Sequence, residues 1–227
     1  TRYSTDVRVT EEIGIEPEVD AAMAAQLADE WPMSGKVLVI AGQQPADAIL
    51  REQVKAAKQR MPFALVADAL SNLHGLPDAI RNADLFLGAA STPILNSLKP
   101  DLLITFGESV ISKPLKKFLR THRAGAHWHI QPAGAVADTF KTVTKVIRIG
   151  PREFFGHVAK MNARSDQHGQ AIRDYDNCWQ EQASHIDALI GDFYPQSALG
   201  EAEVVMHVLR HLPPSCNVHL ANSMSVR

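Results

Sequence analysis

Sulfur chemistry has almost nothing to work with in this chain: among 227 residues there are two cysteines, Cys178 and Cys216. They stand far apart and form no CxxC pair, which argues against a disulfide framework or a structural zinc site and suits a reducing cytosol. An excess of one sign of charge is missing too. A formal net charge of −2 offers no basic excess of the kind that nucleic-acid or membrane-surface binding draws on. No apolar run approaches the roughly 18 residues of a membrane span. The dinucleotide fingerprint GxGxxG and the phosphate loop GxxxxGKS/T are both missing. So are the nucleophile elbow GxSxG and any paired-carboxylate acid–base site. Read from its residues alone, the chain carries no catalytic machinery of its own.

What is present is ordinary globular material, 45% hydrophobic and 21% charged, enough for one packed domain with appendages. Residues 1–17 are polar and acidic without a period and read as an interdomain linker. Val19 to Trp31 has an Ala-rich helical pattern. Strand and helix then alternate. Lys36 to Gly42 is a continuous apolar run closed by glycine, the mark of a strand buried on both faces. Pro45-Ala46-Asp47 opens a helix to about Arg60, with Pro near the first turn and Asp against the helix dipole.

Pro62 to Ala67 is the next strand, followed by a polar turn, Asp68 to Gly75. Ala83 to Gly88 reads as a short strand or a loop, and Ser91 to Leu98 as a helix. Asp101 to Gly107 is the clearest strand. Ser112 caps a helix from Lys113 to about Thr121, and His127 to Ile130 and Thr144 to Ile149 complete the strands. After Pro151 the pattern turns helical, over 152–163, 170–190 and 199–212, until Pro213-Pro214 breaks it. Strands separated by helices predict right-handed crossovers. The expected fold class is therefore α/β, a mainly parallel sheet with helices on both faces, followed by a helical segment.

The expected division is a linker at 1–17, a central α/β domain at 18–165, a helical connector at 166–212, and the first strand of a further domain at 213–227. That last strand, Val218-His219-Leu220, runs into a polar, cationic turn. There Asn222, Ser223 and Arg227 are the residue types an anion site uses. A strand with nothing after it to pair with, and a start at Thr1 without an initiator Met, suggest an excised piece of a larger protein.

Several motifs admit both a plain and a functional account. Gly107-Glu108-Ser109 follows a strand, so its amides could receive an anion, although Glu108 opposes phosphate and a plain turn is the simpler reading. Lys113, Lys116, Lys117 and Arg120 share one helical face. A solvated basic face explains them; alternatively Lys113, nearest the strand's carboxyl end, points into the crevice where α/β sheets collect ligands. His127 and His129 face the same way on their strand. With no acidic or sulfur ligand beside them they read as structural and not as a metal pair. Asp174, Asp176, Glu181 and Asp187 read as solvent charges on a long helix.

Taken together, Asp101-Leu-Leu-Ile-Thr-Phe-Gly107, Ser112-Lys113, the helix end Phe118-Leu119-Arg120, Asp68-Ala69-Leu70-Ser71, His127-Trp128-His129-Ile130 and the closing Asn222-Ser223-Met224-Ser225-Val226-Arg227 resemble one family. These are the 2-succinyl-5-enolpyruvyl-6-hydroxy-3-cyclohexene-1-carboxylate synthases, thiamine-diphosphate enzymes of menaquinone biosynthesis. The resemblance covers residues 36–149 and 216–227. The Asp101 to Gly107 strand alone fits many thiamine-diphosphate enzymes; the Ser-Lys helix start with the NSxxxR tail is more particular. Pro114 stands where some members carry a second basic residue, and Gln131 where an Asp commonly follows the strand.

The resemblance implies a cytoplasmic, homo-oligomeric parent of three domains. Its pyrimidine- and diphosphate-binding domains would hold thiamine diphosphate and Mg²⁺, and this chain would be the middle one, inactive alone and holding no cofactor. It implies decarboxylation of 2-oxoglutarate and addition of the resulting carbanion equivalent to isochorismate. Ser223 and Arg227, with Asn222 beside them, would bind a carboxylate of isochorismate, and Lys113 would line the pocket. Two rivals stand beside it: an FAD- or nucleotide-holding central domain, as in acetohydroxyacid synthases, and a purely structural spacer.

Overall fold

The computed structural model describes residues 19–31, 35–161, 166–193 and 200–219. The chain divides into two compact units, Thr1–Ala183 and Ser184–Arg227. The elements in order are α1 (Ala21–Glu30), β1 (Val37–Ala41), α2 (Ala48–Arg60), β2 (Ala64–Ala67), β3 (Ala79–Ile80), α3 (Ala83–Ala89), α4 (Thr92–Ser97), β4 (Leu102–Phe106), α5 (Lys113–Thr121), β5 (Ala126–Ile130), β6 (Lys145–Ile147), α6 (Pro151–Val158), α7 (Asp166–Phe193) and α8 (Glu201–His211).

The six strands form one sheet in the order β3-β2-β1-β4-β5-β6, and every neighbouring pair is parallel. The expected α/β fold is thus the observed one. Every residue of β1, β2 and β4 is buried, as continuous apolar runs require when both faces are covered. Alternation sorts the side chains. Val37, Val39 and Ala41 join Leu102, Ile104 and Phe106 in a core with α1, α2 and α6. There fully buried Trp31 meets Phe63 and Trp128 edge-on, each at 6.2 Å. Leu38, Ile40, Leu103 and Thr105 are buried on the opposite face. On that side Trp179 of α7 packs edge-on against Phe86 of α3 (5.7 Å) and Phe118 of α5 (6.0 Å).

Helix starts follow the caps that the sequence offers. Asp47 Oδ1 accepts from the amides of Ile49 and Leu50, both at 3.0 Å, and begins α2. Ser112 does the same for α5.

Three segments differ from the sequence reading. Residues 83–89 form a helix, because Ala83, Phe86 and Leu87 recur at the three- and four-residue spacing of one helical face and all are buried. Ala79–Ile80 adds a short edge strand beside β2 that the sequence reading missed. Asp176 is not a solvent charge: its carboxylate pairs with Lys58 at 2.9 Å, both side chains largely buried, and burial raises its pKa despite the lysine.

In the second unit, α8 is followed by residues 216–219 without regular structure. Val218 and His219, expected to open a strand, have no ladder partner among the described residues, and Leu220 lies outside them.

Candidate functional site

The strand order turns back between β1 and β4, and in open α/β sheets the crevice beyond the carboxyl ends at that point is where ligands bind. Here the two loops are stitched together instead. Gly42 N–H donates to Phe106 O (2.9 Å), Gln43 N–H to Ser109 O (2.9 Å) and Glu108 N–H to Gln43 O (2.8 Å). The glycines serve that closeness. A Cβ on Gly42 would sit 2.6 Å from Glu108 O, and Gly107 has a φ of +77° and lies 2.9 Å from Gln43 O by the same measure. The amides of Gly42, Gln43 and Glu108 are therefore occupied, which favours the plain turn for Gly107-Glu108-Ser109.

A crevice of about 1190 Å³ opens beside these loops. Its charged lining is Asp47, Glu108, Arg152 and Glu153, with Arg152 paired to Asp47. Alanines and prolines, including Pro45, Pro132 and Ala135, form the apolar part. Lys113 is not among the lining residues.

One wall of the crevice carries an ordered chain of hydrogen bonds. Gln131 Nε2 donates to the carbonyls of Ala133 and Ala135, so its Oε1 faces His129 Nε2 at 3.0 Å. An amide oxygen only accepts; His129 therefore carries its proton on Nε2 and offers Nδ1 as an acceptor. The Thr105 hydroxyl donates to that Nδ1 (2.9 Å) and accepts from His127 Nε2 (2.8 Å). His127 Nδ1 then accepts from Thr142 Oγ1 at 2.9 Å. Both rings are neutral in this arrangement. Burial agrees: it lowers the pKa of His129, and it lowers that of His127 to about 4, against the pull of Asp138. All four ring nitrogens of the pair are engaged in hydrogen bonds. Among the described residues no group of three His, Cys, Asp or Glu could hold a metal.

A second network lies at the start of α5. Asp68, buried at the end of β2, accepts from Leu70 N through Oδ1 (3.3 Å) and from Ile111 N (2.8 Å) and Ser112 N (3.4 Å) through Oδ2. Ser112 Oγ accepts from Leu115 N at 3.1 Å and donates to Asp84 Oδ1 of α3. Two segments forty-four residues apart, Asp68-Ala-Leu-Ser and Ser112-Lys113, are thereby joined. Lys113 is the next residue, exposed, and its ammonium has no hydrogen bond or ion pair to another described residue. On the same helix Arg120 donates through Nε (3.0 Å) and Nη2 (2.6 Å) to Thr139 O, so the basic face is not wholly solvated.

The remaining expected site residues, Asn222, Ser223 and Arg227, lie outside the described residues. The sequence reading quotes Asp68 and Thr105 only as parts of longer motifs and gives no role to them or to Asp84. An acidic residue directly after a buried strand was a usable signal for Asp68. Thr105 had none, since its role depends on strand register.

Over residues 15–220 the chain matches a family described as "Middle domain of thiamine pyrophosphate". It is similar to the 2-succinyl-5-enolpyruvyl-6-hydroxy-3-cyclohexene-1-carboxylate synthase of Cytophaga hutchinsonii, 34% identical over 193 residues, covering 85% of this chain and 33% of that one. The protein of the same name in Porphyromonas gingivalis is 34% identical over 200 residues, with 85% and 33% covered. That of Phocaeicola vulgatus is 32% identical over 167 residues, with 73% and 28% covered. The chain spans about a third of the length of these relatives.

Proposed function

From the premise that this chain belongs to the family of thiamine pyrophosphate enzyme middle domains, we propose that it is the central domain of a cytosolic 2-succinyl-5-enolpyruvyl-6-hydroxy-3-cyclohexene-1-carboxylate synthase. In this reading the whole protein decarboxylates 2-oxoglutarate on thiamine diphosphate with Mg²⁺ and adds the succinyl semialdehyde carbanion equivalent to isochorismate. Names shared by relatives at 32–34% identity support the reaction class. Both substrates are dicarboxylates, for which a cation is the natural partner.

The observation that carries this chain's own part is the placement of Lys113. It opens α5 beyond the carboxyl end of β4, exposed and unpaired to any described residue, behind a loop fixed by Asp68 and Asp84. A free ammonium on a fixed helix start meets a substrate carboxylate as a charge-assisted hydrogen bond, worth about 1.5–3 kcal/mol. Ser223 and Arg227 would take a carboxylate of isochorismate, with Asn222 adding neutral hydrogen bonds.

The chemistry of the crevice speaks against cofactor binding by this chain. The amides of Gly42, Gln43 and Glu108 at the sheet's turning point are occupied, and the carboxylates of Glu108 and Glu153 line the crevice, which disfavours a diphosphate or FAD there. Binding and activation of thiamine diphosphate are accordingly assigned to other domains of a homo-oligomeric parent. These 227 residues alone are inactive in this reading, contributing scaffold and a cation.

The test is turnover by the full-length protein that carries this chain, supplied with thiamine diphosphate, Mg²⁺, 2-oxoglutarate and isochorismate. Isochorismate consumption that requires 2-oxoglutarate is the expected result. Decarboxylation with pyruvate and no use of isochorismate would instead mark an acetohydroxyacid synthase-like enzyme.

A further inference from the structure

We propose that Asp68 is a positioning residue for Lys113, acting through Ser112 together with Asp84. The inference rests on the reading of Lys113 as a substrate-facing cation and extends it to residues that touch no substrate.

The geometry begins with a buried carboxylate that has only amide partners. Asp68 is 7% exposed and pairs with no cation among the described residues; three backbone N–H groups hold it. Two of those, from Ile111 and Ser112, belong to the loop between β4 and α5. The other end of that loop is fixed as well, by Glu108 N–H on Gln43 O. Ser112 is then held three ways. Its amide bonds Asp68, its hydroxyl proton goes to Asp84 Oδ1, and its Oγ lone pair takes the Leu115 amide, which starts the helix. Pro114 has no amide to satisfy. Both ends of the loop from residue 107 to residue 112 are therefore tied down, and the Lys113 side chain is the first to leave the tether freely. A shift in Ser112 passes directly to Lys113, because one peptide plane separates them.

A purely structural carboxylate would stabilise the fold without altering how a substrate binds. A positioning carboxylate changes substrate use through the lysine, since displacement of a binding group by about 1 Å is enough to cost up to a hundredfold.

The experiment is a double-mutant cycle in the full-length enzyme, reading kcat and the KM for each substrate along with the thermal midpoint. Asp68→Asn replaces one accepting oxygen by an NH2 that cannot take an amide proton. The expected result is a rise of about tenfold in the isochorismate KM for Asp68→Asn and for Lys113→Ala. The 2-oxoglutarate KM should stay within about threefold, and the double variant should be no worse than Lys113→Ala. Asp84→Ala, which frees Ser112 from its less buried side, should give the same pattern and serves if Asp68→Asn fails to fold. Effects that multiply to about a hundredfold in the double variant would show that Asp68 acts independently of Lys113 and would overturn the positioning role alone. A raised KM in Lys113→Ala with normal values in both aspartate variants would do the same. A normal isochorismate KM in Lys113→Ala would overturn the substrate role of the lysine, and the positioning role with it.

Discussion

The Thr105 hydroxyl and His127 Nε2 lie 2.8 Å apart on adjacent parallel strands, and the strand register brings them together. His129 is the direct partner of Thr105 in that register, and His127 stands two residues earlier on the same face, so one hydroxyl serves both imidazoles. Both rings are neutral in this arrangement: a second proton on His129, at Nδ1, would leave the Thr105 hydroxyl with two donors and no acceptor, and one on His127, at Nδ1, would meet the Thr142 hydroxyl that donates to it.

Stability should therefore depend on pH in a defined window. The folded-state pKa of His127, about 4, lies below its ordinary 6.5, because burial disfavours the charged ring. A group depressed in this way contributes stability that is fully present above about pH 6.5 and lost as pH falls toward about 4. The loss expected across the window is about 3 kcal/mol, since each tenfold weakening of proton binding corresponds to about 1.4 kcal/mol. His129 adds to it in the same direction. Urea unfolding of the chain at pH 7 and pH 4.5 measures it. A His127→Gln variant, which does not titrate, should lose less over the same range.

Thr105→Val keeps the shape of the side chain and removes the middle of the hydrogen-bond chain. A buried donor on His127 and an acceptor on His129 would lose their partner, each costing about 1–3 kcal/mol. Thr105→Ser should stay within about 1 kcal/mol of the parent, so a Ser variant as unstable as the Val variant would point to packing instead.

Gly42→Ala and Gly107→Ala should each destabilise the chain by more than about 1 kcal/mol, for different reasons. At Gly42 the added methyl meets a backbone carbonyl that the neighbouring loop cannot withdraw without breaking its own bonds. At Gly107 the positive φ adds strain to a similar clash. Thermal unfolding of the two variants checks both; Gly88→Ala, where a Cβ meets nothing within 4 Å, is the control.

The chain should bind neither thiamine diphosphate with Mg²⁺ nor FAD above background in titration calorimetry. The bonded amides of Gly42, Gln43 and Glu108 and the carboxylates of Glu108 and Glu153 disfavour a diphosphate in the crevice. Micromolar binding of FAD would favour the nucleotide-holding alternative.

Much of this architecture is legible in the sequence. The buried strands announce themselves as continuous apolar runs, and Asp47 and Ser112 mark their helices by the chemistry of their side chains. The facing of His127 and His129 follows from the two-residue period of a strand. What escapes depends on partners remote in sequence. Ala79–Ile80 is too short to show a period and is a strand only because β2 lies beside it. Residues 83–89 are ambiguous because a segment of that length carries only two helical turns. Asp176 looks like any surface acid until the fold brings Lys58, 118 residues away, against it. Asp68, Ser112 and Asp84 form one network through tertiary contact, and no local pattern connects them.

In the proposed function the acceptor is isochorismate, held by cations from Lys113 and Arg227. Steady-state kinetics of Arg227→Ala in the full-length protein tests it most directly. A guanidinium facing a carboxylate contributes about 1.5–3 kcal/mol. The expected result is an isochorismate kcat/KM lowered by roughly ten- to a hundredfold, with thiamine diphosphate affinity close to that of the parent. A normal isochorismate KM with cofactor affinity lost would contradict it.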